Sequence, residues 1–125
     1  MDLKTGDVFR WERTFHEEDI LQFAQLTGDQ GRHHVERDEK GRLMVHGLLT
    51  ASIGTKLGGD LHYIARDMVS EFLRPVFSGD TVACELTVTE VTQQEGYKQV
   101  SMKLIYLNQD GKEVLTGTSR GIIRD

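Results

Sequence analysis

Four residues in the first half of the chain carry side chains that could act together in acid–base chemistry. They are Asp29, His33, His34 and His46, and Gly47 directly follows the last of them. A carboxylate and an imidazole five residues apart, such as Asp29 and His34, cannot share one helix face, but a loop that turns back can bring both to one water molecule. Such a pair could orient and deprotonate water or a substrate carbon. The competing interpretation is that charged loop residues are simply solvated.

The same residues leave a metal site open as an alternative. Neutral imidazoles from His33, His34 and His46 and the carboxylate of Asp29 are chemically good zinc ligands. However, adjacent histidines point apart in most loops, and the chain has neither a CxxC nor an HExxH spacing. We therefore expect no metal and no cofactor.

Gly47 offers a different chemistry, because it begins a helix that we expect to be buried. A glycine there exposes a backbone amide along the helix dipole without a side chain to block a ligand, which suits a carbonyl oxygen or an oxyanion. Tight packing against a sheet would explain this glycine equally well. Arg32, His46 and Thr55 are further candidates for substrate contact, although a helical threonine more often bonds a nearby backbone carbonyl.

The elements that must position these groups follow from hydrophobic periodicity. Alternation over residues 8–15 predicts a strand, and helical spacing of apolar residues over 16–26 predicts a helix that Gly28 ends. Residues 28–43 are charged, contain glycine and lack apolar periodicity, so they predict a loop. Its length in so small a domain favours a function for the residues it carries.

The second half of the chain predicts one buried helix and a run of strands. Residues 46–57 carry few charges around the helix, and Gly58 and Gly59 are expected to end it. Period-2 patterns joined by glycine-containing turns then predict strands at 68–75, 81–92, 97–107 and 113–123. We therefore predict an α+β fold, in which a long central helix is wrapped by a curved antiparallel sheet. An exposed sheet edge favours a homodimer.

Composition narrows the remaining choices. The 125 residues suit a single domain spanning 1–125, with 15 basic and 20 acidic residues and a net charge of −5. The absence of a basic cluster argues against a nucleic-acid partner, and the absence of a long apolar run or signal peptide argues against a membrane. The single Cys84 is predicted to be a buried structural thiol in a cytoplasmic protein. Four aromatic residues are predicted to lie in the core: Phe9, Trp11, Phe15 and Phe23.

Three stretches of the chain, in this order, resemble the MaoC-type dehydratase family, which includes the (R)-specific enoyl-CoA hydratases. They are FHEEDILQFAQLTGD (15–29) with His34 beyond it, MVHGLL (44–49) and EFLRPVFSGDTV (71–82). The resemblance extends over essentially the whole chain. It implies the hot-dog fold, which has the same helix-and-sheet arrangement as the one predicted above.

The resemblance also implies roles for the residues singled out above. In the family, the matching aspartate and histidine, here Asp29 and His34, hold the water that adds across the double bond of a 2-enoyl thioester. The amide matching Gly47 holds the thioester oxygen, and Thr55 falls where some members place a serine near the site. The implied substrate is an acyl-CoA or acyl-carrier-protein thioester, bound at the subunit boundary of a homodimer or higher homo-oligomer.

The chain departs from the family's Asp-x-Asn-Pro-x-His motif, because Gly31 and Arg32 replace asparagine and proline. This predicts a less preorganised connection between Asp29 and His34. Two alternatives to a hydratase follow from the same resemblance: a hot-dog acyl-CoA thioesterase, and a domain that binds acyl-CoA without turning it over.

Overall fold

Five antiparallel strands and one long helix make up most of the computed structural model, which describes residues 2–125. The strands lie in the order β1-β3-β4-β5-β2, so β1 and β2 form the two sheet edges. The elements are β1 (Val8–Thr14), α1 (Glu17–Thr27), α2 (Arg32–Val35), α3 (Gly47–Asp60), β2 (Tyr63–Phe72), β3 (Thr81–Gln94), β4 (Tyr97–Leu107) and β5 (Glu113–Arg124).

The core lies between α3 and the sheet. Alternate residues of β3 point to one face, and Val82, Cys84, Leu86 and Val88 are each 0% exposed. They join one apolar cluster with four buried apolar side chains of α3, which are Leu49, Ala51, Ile53 and Leu57. The predicted packing of a buried helix on an antiparallel sheet is therefore confirmed.

The predicted end of α3 is wrong, because the helix continues through Gly58 and Gly59 to Asp60. Glycine costs about 1 kcal/mol relative to alanine within a helix, which tertiary packing can offset. Here Leu57 and Leu61 are both buried on either side of the glycines and hold the last turn. With 14 residues, α3 is the longest helix among residues 2–125, and none of these helices is long and apolar enough to cross a membrane.

The predicted boundaries of β2 are also wrong, since the strand begins at Tyr63 and ends at Phe72. A register shift between Ala65 and Asp67, in the pairing with β5, interrupts the alternation that would have marked its first half. The predicted loop 28–43 contains one short helix, α2. This helix has only four residues, so no helical periodicity could reveal it in the sequence.

The aromatic residues divide between core and surface. Phe15 is fully buried, and Phe9 and Phe23 pack against the core, as predicted. Trp11 is 36% exposed on the edge strand β1, with its ring centroid 5.4 Å from the Lys56 ammonium, so its assignment to the core is wrong. Cys84 is buried as predicted, and burial raises the pKa of its thiol to about 12.

The packing of β2 on β5 generates a prediction about Gly121. A Cβ at this position would overlap the Ile64 carbonyl oxygen, which belongs to the paired backbone of β2 and cannot move aside. We expect Gly121→Ala to lower the free energy of unfolding by at least about 2 kcal/mol, measured by urea denaturation at one protein concentration. As a control, Gly59→Ala in α3 meets nothing within 4 Å and should stabilise the protein by about 0.5–1 kcal/mol. Wild-type stability of Gly121→Ala would contradict this account.

Candidate active site

Asp29 lies in the turn that follows α1. Gly28 ends the helix in the left-handed conformation (φ 81°), which residues with side chains rarely adopt. The Asp29 N–H donates to Thr27 Oγ1 (3.1 Å), and Asp29 Oδ1 accepts the Gly31 N–H (3.1 Å). One carboxylate oxygen therefore holds the turn, while the other, Oδ2, faces the ring of His34.

His34 is buried on α2 with its ring tautomer set by the backbone. Its Nδ1 lies 2.8 Å from the Met44 carbonyl oxygen, and since a carbonyl only accepts, Nδ1 must carry the hydrogen. A neutral His34 ring then presents an unprotonated Nε2 to Asp29 Oδ2 at 3.7 Å. This distance is too long for a direct hydrogen bond. Two acceptors that face each other in this way suit a small donor, such as water, that bonds to both.

Backbone contacts constrain the segment that joins the two side chains. The His34 N–H donates to the Gly31 carbonyl (2.8 Å), and the Met44 N–H donates to the His33 carbonyl (2.9 Å). A Cβ at position 31 would lie 3.2 Å from Asp29 Oδ1 and 3.3 Å from His34 Cδ2. Glycine therefore lets Asp29 and His34 approach closely, and backbone hydrogen bonds supply constraints in a segment that lacks the family's proline.

His46 is the N-cap residue of α3, contacts both Asp29 and His34, and is only 2% exposed. Its Nε2 lies 3.1 Å from the Asp29 carbonyl oxygen, and its ring stacks on His34 at 3.7 Å between centroids and 14° between planes. The Phe23 ring packs edge-on against it at 4.8 Å. Burial lowers the pKa of His46 below 6.5, although the hydrogen bond to the Asp29 carbonyl opposes this effect. The ring is therefore neutral at neutral pH.

The stacking bears directly on the zinc alternative. Asp29, His34 and His46 each place a possible ligand atom within 4.8 Å of the others. Zinc binds imidazole in the plane of the ring, at about 2.0–2.1 Å from the nitrogen. Because the two rings lie in nearly parallel planes, an ion in the plane of one would lie far out of the plane of the other. This arrangement does not fit a single metal ion held by both histidines.

Gly47 and the pair share a cavity of about 550 Å³. Gly47 is the first residue of α3, so its N–H has no intrahelical acceptor and lies at the positive end of the helix dipole. A Cβ here would lie 2.6 Å from Phe72 Cε1, so a side chain at this position would displace the half-exposed Phe72 ring. Apolar side chains form much of the remaining wall of the cavity: Phe23, Val45, Leu48, Phe72, Leu73, Val76 and Val114.

Two predicted substrate contacts lie away from this cavity. Arg32 points to solvent and pairs with Glu36 at 3.5 Å. Thr55 is exposed further along α3, where it lines a second, largely apolar cavity of about 310 Å³. The structure therefore does not bring Arg32 or Thr55 to Asp29 and His34. Two further groups of the site are not predicted from the sequence: the Met44 carbonyl, which accepts from His34, and the Phe72 ring, which lines the cavity beside Gly47. A backbone acceptor such as the Met44 carbonyl has no signal in a sequence.

The environment of His46 generates a prediction about pH. Because folding lowers the pKa of His46, the unfolded chain binds a proton more readily, so the stability gained from the neutral ring is lost as pH falls below about 6.5. We expect the free energy of unfolding to decline between pH 7 and pH 5, before the carboxylates titrate. His46→Gln, which has no titrating group, should decline less steeply in the same range. Equal slopes for the two proteins would show that His46 is not buried in its neutral form.

Comparison with known proteins gives matches over most of the chain. The family model described as FAS1-like, dehydratase domain region, matches residues 5–117. The (R)-specific enoyl-CoA hydratase of Rhodospirillum rubrum is 32% identical over 108 residues, which cover 77% of this chain and 73% of that protein. The mitochondrial 3-hydroxyacyl-(acyl-carrier-protein) dehydratase FERN of Solanum lycopersicum is 25% identical over 129 residues, which cover 97% of this chain and 78% of that protein.

The solved structures agree with these matches. The (R)-hydratase from A. caviae involved in PHA biosynthesis superposes with a TM-score of 0.85 at 26% identity, covering 98% of both chains. This confirms the hot-dog fold predicted from the resemblance. The chain therefore belongs to the FAS1-like dehydratase domain family, and its predicted relationship to the MaoC-like dehydratases and (R)-specific enoyl-CoA hydratases is confirmed.

Proposed function

We propose that this protein is a hydratase/dehydratase of acyl thioesters, adding water across the double bond of a 2-enoyl-CoA and catalysing the reverse reaction. The observation that carries the proposal is the 3.7 Å gap between Asp29 Oδ2 and His34 Nε2, which face each other at the wall of a cavity. Family membership supports the reaction class. A carrier-protein thioester would present the same reacting atoms.

The geometry supports a specific path for the water. A water in the gap can donate one hydrogen to Asp29 Oδ2 and the other to His34 Nε2, which leaves a lone pair directed toward the β carbon of the substrate. As the C–O bond forms, one of the two groups accepts a proton from the water. The proton taken from the water is then delivered to the α carbon, so that OH and H are added across the former double bond and Asp29 and His34 return to their starting protonation. Dehydration is the reverse of these steps.

Gly47 supplies the complementary group for the thioester. When the water attacks, negative charge develops on the thioester oxygen as an enolate. The N–H of Gly47 and the dipole of α3 favour that charge most strongly when it is fully developed. We propose that this amide binds the oxygen, which orients the double bond with its β carbon toward Asp29 and His34.

Two substitutions test the roles of the pair with little change to their surroundings. Asp29→Asn keeps an oxygen for the Gly31 N–H, and the His34→Asn amide can still donate toward the Met44 carbonyl. We expect each variant to lower kcat/KM for 2-enoyl-CoA hydration at least ~100-fold, as expected for the loss of acid–base catalysis. The measurement is the loss of enoyl-thioester absorbance together with chromatography of the 3-hydroxyacyl product.

The control variant is Asp38→Asn, which removes a carboxylate that pairs with Arg42 and should leave the rate unchanged. Near-wild-type rates for both Asp29→Asn and His34→Asn would exclude the proposed mechanism. A thiol-trapping reagent in the same assay detects released CoA, the product of a thioesterase. Binding of an acyl-CoA in calorimetry without either product would identify a binding domain instead.

We also propose that the protein is a homodimer that pairs along β2. This strand is a sheet edge, and its exposed side chains include Ile64, Met68, Val69 and Phe72. An unpaired edge strand of ten residues that exposes four apolar side chains favours association with a second strand. Because Phe72 also lines the cavity, such an interface would adjoin the candidate active site. The cytoplasmic location stays a prediction.

Light scattering can test the proposed interface, because substitutions in β2 should lower the molar mass of the protein in solution. At micromolar concentration we expect the wild-type protein to have twice the 14.2 kDa chain mass. Met68→Lys combined with Val69→Lys should shift the protein toward monomer, because two buried charges at an interface are costly. Leu26→Lys, at an equally apolar but separate exposed position on α1, should remain dimeric. A monomeric wild-type protein would refute the proposal.

A further inference from the structure

Three groups of the candidate site meet at one buried side chain, His46. Its ring bonds the backbone of Asp29, its face stacks on His34, and its main chain continues directly into Gly47. We propose that His46 is a positioning residue, which holds the Asp29 carboxylate and the His34 ring at the spacing that lets both engage one water. This inference deepens the proposed function and rests on it.

The hydrogen bond fixes the tautomer of His46 and the backbone of Asp29 together. Since the Asp29 carbonyl accepts, His46 Nε2 must be the donor across the 3.1 Å contact. His46 Nδ1 is buried and has no hydrogen-bond partner among residues 2–125. The hydrogen bond therefore ties the main chain of Asp29 to the first turn of α3, while the Asp29 carboxylate extends from the same residue toward His34.

The ring stack between His46 and His34 restricts the orientation of the His34 side chain. A His34 ring held only by its Nδ1 bond to Met44 could still tilt about that bond and carry Nε2 away from Asp29. His46 lies nearly parallel against one face of this ring, and the exposed His33 ring lies 3.9 Å from it between centroids, tilted by 51°. The stack on His46 opposes a tilt of the His34 ring and so favours the orientation in which Nε2 is directed at Asp29 Oδ2.

Only a ring with a donor performs both tasks of His46 at this position. Phenylalanine would keep the aromatic face for His34 but would lose the donor to Asp29. Glutamine would keep a donor of similar reach but would lose the face. His46→Phe and His46→Gln therefore separate the effect of the hydrogen bond from the effect of the stack. In the wild-type protein the Phe23 ring packs edge-on against His46 and also holds its side chain in place.

The test combines these variants with kinetics of 2-enoyl-CoA hydration. We expect His46→Phe and His46→Gln each to lower kcat ~10-fold or more, with KM within ~2-fold, because a misplaced pair affects the reaction more than substrate binding. In the Asp29→Asn background, His46→Phe should have little further effect, since it acts through Asp29. The proposal would be overturned if His46→Phe lowered kcat by the same factor in the wild-type and Asp29→Asn proteins, or if it changed KM alone.

A matched control separates positioning from general stability. Val88→Ala removes buried volume from β3, away from the cavity, and should lower the melting temperature without lowering kcat at an assay temperature below unfolding. If Val88→Ala lowers kcat as much as His46→Phe does at similar loss of stability, His46 has only a structural role.

Nitrogen-15 NMR of the histidine rings tests the inference independently of activity. At pH 7 we expect His46 to be neutral with its hydrogen on Nε2, and His34 to carry a hydrogen on Nδ1. In His46→Gln, the His34 signals should broaden or shift as the ring gains freedom. A wild-type His46 with its hydrogen on Nδ1, or an unchanged His34 spectrum in the variant, would overturn the inference. If instead the NMR result holds while the wild-type protein hydrates no enoyl thioester, the proposed function fails and the positioning geometry stands.

Discussion

The burial of α3 against β3 determines where every group of the candidate site lies. The apolar contact of Ile53 and Leu57 with the sheet fixes the axis of the helix, and with it the position of the first turn. His46 and Gly47 occupy that turn, and Asp29 and His34 are held to it by contacts of His46. The core therefore does more than stabilise the fold, because it sets the position of polar groups at its edge.

Backbone atoms carry most of the positioning around Asp29 and His34. The Met44 carbonyl sets the tautomer of His34, the Gly31 N–H occupies one oxygen of Asp29, and the Asp29 carbonyl accepts from His46. Backbone groups remain when side chains change. This explains how the connecting segment can bring the two residues together with glycine and arginine in place of the family's asparagine and proline.

The sequence predicts the elements whose burial is periodic and misses those whose limits depend on tertiary contacts. Alternation along β3 and the apolar character of α3 identified both elements, and the spacing of Asp29 and His34 identified a possible pair. The predicted end of α3 and the predicted start of β2 are wrong, because these limits depend on tertiary contacts. Packing of Leu61 in the core extends α3, and pairing with β5 extends β2 toward its N-terminal end. The stacked rings of His34 and His46 lie twelve residues apart, and no local pattern signals their contact.

The contact between Gly47 and Phe72 joins the edge of the sheet to the start of α3. A Cβ at position 47 would press on the Phe72 ring, and Phe72 is itself 55% exposed on the edge strand. A side chain at position 47 would therefore displace the Phe72 ring from its present position. Because that ring is part of the exposed surface of β2, a substitution at the start of α3 would also change the outer edge of the sheet. The start of the helix and the outer surface of β2 are thereby coupled through one pair of residues.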